Sequence, residues 1–330
     1  MIPIHRLTIL DVGHGNSAVL EDEGRVVIFD AGTKHGLLNF LTEQNISRID
    51  VILLSHADAD HIGGLVGVLS SGLFQIGEIR VNTDALKNSK LWDALIYELH
   101  IQNRQKTIKF VPSLTDSDNG SFDSKNVKIE ILAPSTYIAG KGVGSTDRSG
   151  RKIETNSISA VIRIIFKGTP ILLLPGDIDD VGLDNLLELD VEIKTRILVF
   201  PHHGGKAGRS ADMIEFTKKL CNAVQPRQVI FSIDREKTHL QPEVISTIRS
   251  NIRGVRIACT QLSKLCAIAA PTSVPTHLNN NFAAGREYRH CCAGTVTFSL
   301  TEPDNISPKN DEHLEFIRRS APTALCGTNQ

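Results

Sequence analysis

Residues 49–56, IDVILLSH, form a short and almost wholly apolar run that stops at a histidine, and what comes next is the strongest constraint in the chain. Such a run reads as a strand buried on both faces. Directly after it stand His56, Asp58, Asp60 and His61, four candidate metal ligands within six positions, followed by IGGLVGVLSSG, which reads as a helix. Two imidazoles and two carboxylates at that density are costly to leave unpaired away from water. One or two divalent cations remove the cost. The simpler alternative, on the residues alone, is a polar loop in which Asp58 and Asp60 cap the helix near Ile62.

The same alternation of apolar runs and turn residues covers most of the chain. HRLTILDVG, NSAVLED and GRVVIFDAG read as strands with tight turns, and a helix follows around 35–46. GEIRVN, IKFVP and VKIEIL are further strands, and Leu91, Leu95, Ile96 and Leu99 recur at helical spacing within 86–103. Residues 139–157 are rich in Gly and Ser and read as a long mobile loop. The hairpin ISAVIRIIF/TPILLLPGD follows. Then come a helix at 179–189, strand TRILVFPHH, helix 211–220, strand RQVIFSI, helix 242–250 and strand VRIACT. Strands alternating with helices in places and pairing as hairpins in others predict mixed sheets between helical layers. Residues 271–290 read as an irregular insertion in a domain spanning 1–302, CAGTVTFSL as a late strand, and 303–330 as a polar C-terminal tail.

Composition narrows the function classes. Over 330 residues, Lys+Arg 36 against Asp+Glu 37 gives a net charge of -1, which argues against a nucleic-acid coat or a polybasic membrane binder. It does not exclude an enzyme that meets one phosphodiester through metals and local cations. No apolar stretch is long enough to span a bilayer and the opening residues lack a secretory pattern, so a soluble, cytoplasmic chain is expected.

The segment 56–61 resembles the His-x-His-x-Asp-His loop of the metallo-β-lactamase superfamily, with Asp58 where the second His would stand. Three more segments match in order. Leu174-Pro175-Gly176-Asp177 is similar to the segment supplying a bridging aspartate, and Phe200-Pro201-His202-His203-Gly204-Gly205 to the late histidine motif. Asp11-Val12-Gly13-His14-Gly15-Asn16-Ser17 resembles the Asp-Val-Gly-Gln-Gly-Asp-Ser opening of the hydrolase domain in ComEC-type DNA-uptake proteins. In that branch the His-x-Asp-x-Asp-His variant is common. Thr155-Asn156-Ser157 and His239-Leu240-Gln241-Pro242 also have counterparts there, so the resemblance covers about residues 4–270.

The resemblance implies an αββα sandwich of two mixed sheets flanked by helices, with two divalent metal ions at one sheet edge. One ion would take Asp60, His61 and His202, with Asp177 bridging. The other would take His56, Asp58 and Asp177, with Asn156 as a candidate third ligand. The oxygen-rich second site shifts preference from Zn²⁺ towards Mn²⁺ or Mg²⁺. The branch implies a phosphodiesterase or nuclease acting on DNA or a nucleotide phosphodiester through a hydroxide held between the metals. Asp60 would serve the reaction as well as the metal. His203 and His239 are the candidates to protonate the leaving oxygen; His203 could equally orient or exchange roles with His202, and His239 could be a structural bond at a helix start. Lys206 and Arg209 are placed to meet an anionic substrate, whereas Arg148, Arg151 and Lys152 read as solvated loop charge. Asp11 is expected to orient a metal-bound His, with a pure turn role as the alternative. Asp30 reads as structural.

The uptake proteins join this domain to a membrane channel, and a chain without a spanning segment is not expected to import DNA itself. Two rival classes stay open: a metallohydrolase of a carboxylic ester, lactone or thioester, and a non-catalytic metal-binding sensor module. Cys259, Cys266, Cys291 and Cys292 could make a structural zinc site, but the spacing matches no common knuckle and buried reduced thiols on neighbouring strands explain it better.

Overall fold

The computed structural model describes residues 4–208, 212–237 and 240–327. Their β-branched runs build two mixed sheets. In the first, β1 (His5–Ile9), β2 (Ser17–Asp22), β3 (Arg25–Ala31), β4 (Arg48–Leu53), β5 (Gln75–Arg80) and β6 (Lys109–Val111) lie side by side in chain order. The second orders its strands from β7 (Val127–Ala133) through β8 (Val161–Phe166), β9 (Thr169–Leu174), β10 (Ile197–Val199) and β11 (Gln228–Phe231) to β12 (Arg256–Cys259). The late strand β13 (Val296–Ser299) returns to the first sheet, antiparallel to β1, and β14 (Ile306–Ser307) extends that edge. From β3 to β6, and from β9 to β12, the pairing is parallel.

Parallel strands need covered faces, and helices supply the cover. Val19, Ile28 and Ile52 on the outside of the first sheet pack with α1 (Gly36–Glu43), α2 (Ala59–Ser71) and α3 (Lys90–Arg104). A short helix, α4 (Thr136–Lys141), runs into the segment 139–157, and its Ile138 forms a small cluster with Ile153 and Ile158. Leu173, Leu198 and Val229 on the outside of the second sheet pack with α5 (Asp180–Glu188), α6 (Met213–Val224) and α7 (Pro242–Asn251). Between the sheets, Leu20, Phe29 and Leu53 meet Ile131, Ile162, Leu172 and Val199. Burying each such side chain is worth about 1.5–3 kcal/mol, which holds the strand ends, and the loops leaving them, at fixed positions. This is the αββα sandwich.

Two segments depart from their sequence reading. Residues 303–327 are not a solvated tail. β14 joins the first sheet, and α8 (Asn310–Ser320) seats Ile317, Ala321 and Ala324 in the core beside α7. A few apolar residues among many charges suffice to dock one helix face. The segment 139–157 is tied down rather than loose. The Asp147 carboxylate accepts from the Ser149 and Arg151 backbone N–H groups and from Arg151 Nε, and Arg151 also pairs with Asp184. The insertion at 271–290 is irregular as expected and packs on the opening turn, where Ala284 N–H donates to Asp11 O at 2.9 Å.

Candidate metal centre

The site is built where β4, β9 and β10 end, so the loops from both sheets converge. α2 starts at Ala59 with Asp58 at its N-cap position, but the Asp58 side chain makes no capping hydrogen bond. The capping alternative therefore does not describe this loop. Asp58 Oδ2 instead lies 3.5 Å from His56 Nε2, and its Oδ1 pairs with Lys87.

His61 leads the tightest group. Its Nδ1–H donates to Asp30 Oδ2 at 2.7 Å, which leaves Nε2 facing Asp177 Oδ2 at 3.5 Å. Asp30 sits at φ +55 and also accepts from Ser55 N and Ser55 Oγ. A carboxylate behind a metal-facing imidazole fixes its tautomer and orientation. Asp177 follows Gly176 at φ +54, where a Cβ would lie 2.3 Å from Ser159 Oγ, so only glycine lets the turn approach. Ser159 Oγ in turn accepts from Asp177 N–H at 3.0 Å.

The two late histidines both adopt left-handed backbone, at φ 53 and 55. His203 Nδ1–H donates to Ser232 O at 2.7 Å, and its Nε2 lies 3.2 Å from Asp60 Oδ2 and 3.9 Å from Asp177 Oδ2. His202 Nε2–H donates to Ile178 O at 3.0 Å, with Nδ1 3.7 Å from Asp177 Oδ2. Asp60, His61, Asp177 and His203 each bring a ligand atom within 4.8 Å of the others. His203, not His202, joins this group, so the pair exchange the places expected for them.

Electrostatics follow from this crowding. Burial pushes the Asp60 and Asp177 carboxyls up, but the surrounding imidazoles outweigh it and hold both well below the usual carboxylate range: His14, His203 and His61 for Asp60, and His61, His202 and His203 for Asp177. Asp58 is likewise brought down to about 2 by His56 and Lys87 against its burial. Burial opposes the charged form of His61, yet Asp30 and Asp177 raise it well above its ordinary value. His202 moves the other way, lowered mainly by burial.

The residues fit divalent ions. His56 and His61 are fully buried, and the Nε2 of each lacks a hydrogen-bond partner among the described residues, as does the buried Asn156 Oδ1. Buried polar atoms are seldom left so, and nitrogen and carboxylate donors around one point suit such a cation. His56 Nδ1 is engaged by Ser55 Oγ at 2.9 Å, so its Nε2 is the atom that would reach the metal. Asn156 lies on the 3₁₀ turn Thr155–Ile158.

Other expectations are corrected. Asp11 touches none of these imidazoles. Its carboxylate accepts from Gly13 N, Gln261 Nε2 and Gly285 N and faces the Cys291 thiol, tying the opening turn to the insertion. Burial raises its carboxyl. Asp30 has the orienting place instead. The cysteines follow the buried-thiol reading rather than the zinc one: Cys259, Cys266 and Cys292 pack in one core cluster, Cys292 lies 3.2 Å from His313 Nε2, Cys291 faces Asp11, and no three of the thiols reach metal-sharing distance among the described residues. Lys206 is exposed on the loop after the histidines. Arg209 and His239 lie outside the described residues.

Two contributors were not anticipated from sequence. His14 Nε2 lies 3.1 Å from Asp60 Oδ2, on the opening motif where the DNA-uptake branch has Gln, and that substitution was the available signal. Lys87 lies within the stretch 86–103 that reads as helical, on the turn just before α3, and carried none. Beside Asp58, a cleft of about 300 Å³ is lined by Leu86, Val143, Lys152, Ile153, Glu154, Thr155 and Asn156.

Fold and site together define a metallohydrolase of the αββα type. Residues 10–205 match the family model described as the metallo-beta-lactamase superfamily, and the chain belongs to that superfamily as a metal-dependent hydrolase. It is similar to the competence protein ComA of Neisseria gonorrhoeae, 24% identical over 267 residues that cover 78% of this chain and 31% of that protein. ComE operon protein 3 of Bacillus subtilis (strain 168) is 22% identical over 274 residues, covering 75% and 31%. Ribonuclease Z of Lactococcus lactis subsp. lactis (strain IL1403) is 26% identical over 144 residues, covering 42% and 46%. The chain thus matches about a third of the length of the two competence proteins. No helix among the described residues is long and apolar enough to cross a membrane.

Proposed function

We propose that this chain is a metal-dependent phosphodiesterase acting on DNA or a nucleotide phosphodiester. The observation that carries the reading is the buried donor group Asp60, His61, Asp177 and His203. Beside it the His56 ring lies 4.1 Å from that of His61, and His56 Nε2 and Asn156 Oδ1 have no hydrogen-bond partner among the described residues. The first group would hold one cation and His56, Asp58 and Asn156 a second, and their paired positive charge would stabilise an attacked phosphate. Zn²⁺, Mn²⁺ and Mg²⁺ are the candidates, with Asp58 and Asn156 weighting the second half towards the harder ions.

The chain's own groups suit the remainder. Lys152, exposed on the cleft wall 3.8 Å from Glu154, would meet an anionic oxygen in exchange for that carboxylate, while Leu86, Val143 and Ile153 offer an apolar wall to a nucleobase or sugar. His202, neutral near pH 7 because burial lowers it, keeps Nδ1 towards Asp177 and is the group to move a proton. The name of one relative, a ribonuclease, agrees with nucleic-acid chemistry. Six cysteines without a disulfide suit a reducing cytoplasm.

The test is hydrolysis of bis-p-nitrophenyl phosphate by metal-stripped protein with Mn²⁺, Mg²⁺ or Zn²⁺ restored, beside an Asp177→Ala control. Activity that returns with metal and vanishes in the variant supports the reading and ranks the ions. Metal binding without phosphodiester cleavage would move the assignment to esters, lactones or thioesters.

A further inference from the structure

The two halves of the centre are unequally equipped. Asp60, His61, Asp177 and His203 converge, and the two carboxylates there face imidazoles: His14 and His203 for Asp60, and His61 for Asp177. In the other half, the Lys87 ammonium is already seated on Asp58, the one carboxylate that half does not share. Lys87 is held there by its own turn. Leu86 N–H donates to Asp84 Oδ1 at 3.0 Å, and Lys87 N–H to Asp84 O at 3.2 Å. Asp84 Oδ2 accepts from Thr155 Oγ1 at 2.5 Å, next to Asn156. One buried aspartate thus couples the lysine turn to the turn carrying the candidate third ligand.

Lysine is a full positive charge at neutral pH. A divalent ion entering beside His56 and Asp58 must displace that ammonium or sit against it, and like charges at such range are costly in a partly buried site. His56 Nε2, which faces Asp58 Oδ2 at 3.5 Å without a hydrogen bond, and Asn156 Oδ1 attract the ion, whereas Lys87 opposes it.

We propose that Lys87 is a resident cation that competes with the metal in the His56–Asp58–Asn156 half. The Asp60–His61–Asp177–His203 half then fills first, and the other fills only at higher metal concentration as the ammonium leaves Asp58. This rests on the two-metal reading but not on the choice of substrate.

The experiment titrates metal-stripped protein with Mn²⁺ by calorimetry, counts bound ions by elemental analysis, and compares wild type with Lys87→Met and Asp60→Asn. Wild type should show one strong step and a second at least about tenfold weaker, a gap of about 1.4 kcal/mol or more. Lys87→Met should tighten the second step at least about tenfold and leave the first within about twofold. Asp60→Asn should weaken the first step. Two equal steps in wild type, or a second step unmoved in Lys87→Met, would overturn the proposal; so would one ion in both proteins. One ion in wild type and two in Lys87→Met would support it. Circular dichroism confirms that each variant is folded. Failure to cleave bis-p-nitrophenyl phosphate would overturn the phosphodiesterase reading while leaving these steps as they are.

Discussion

His61 Nδ1–H donates to Asp30 Oδ2 at 2.7 Å, and this bond decides which nitrogen of His61 faces the metal centre. Asp30→Asn tests it with little disturbance of the backbone, because Asn tolerates the φ of +55 found there. The variant should bind metal about 10–100-fold more weakly, the usual cost of losing such a supporting carboxylate. Competition against a chromogenic chelator reads the affinity, and a cooperative melt shows that the stripped protein is folded. Affinity within about twofold of wild type would mean that Asp30 only shapes the turn.

The adjacent histidines give a second prediction. Both sit in left-handed backbone, so asparagine is the least strained replacement at either. His203→Asn should lose metal by more than about 100-fold, beyond the range for a supporting residue. His202→Asn should keep metal within a few-fold and lose about 10²–10⁴ in kcat, the range for removed proton transfer. The opposite pattern would return the ligand role to His202.

The opening turn supplies a third. A Cβ on Gly15, at φ +120, would lie 2.0 Å from the Asp60 carbonyl oxygen, and the neighbouring Asn16 N–H donates to that oxygen at 3.2 Å. Gly15→Ala must push backbone against backbone and should cost at least about 2 kcal/mol. Gly24 has φ +88 and nothing within 4 Å of its Cβ position. Gly24→Ala should therefore cost only the conformational strain, about 1–2 kcal/mol. Urea unfolding of both variants separates the two, and equal losses would deny that the opening turn braces Asp60.

Much of this was legible along the chain because it is local. The apolar run 49–54 ending in Ser55-His56, and the glycine before Asp177, encode a strand end and a tight turn within a few residues. The sandwich follows from strands that read correctly one at a time. What escaped the reading depends on distant partners. Nothing near Lys87 marks it as a neighbour of Asp58, since its position is set by Asp84 and Thr155. Asp11 looked like a metal-site residue by motif, yet its partners Gln261 and Gly285 come from the far end of the chain. His202 and His203 could not be separated by sequence because only the Ile178 and Ser232 carbonyls distinguish them. The helix at 310–320 was hidden by its charge, though His313 and Ile317 bury one face of it.

That helix carries the last prediction. His313 is buried, and its Nε2 accepts from the Cys292 thiol at 3.2 Å. Burial first, then the nearby His277 and Arg256, bring it down to about 3 from an ordinary 6.5. In the unfolded chain the imidazole takes up a proton below pH 6.5, whereas in the folded protein it does not until near 3. The unfolded state thus binds more protons in that window, and folded stability falls as pH drops through it. The limiting slope for one such group is about 1.4 kcal/mol per pH unit, or about 2 kcal/mol between pH 6.5 and 5. Urea unfolding of metal-stripped wild type and His313→Gln at pH 7 and pH 5 isolates this group, because every other titrating residue is common to both. Wild type should lose about 2 kcal/mol more than the variant on acidification. Equal losses would show that His313 is protonated within the fold, and that the thiol contact does not hold it neutral.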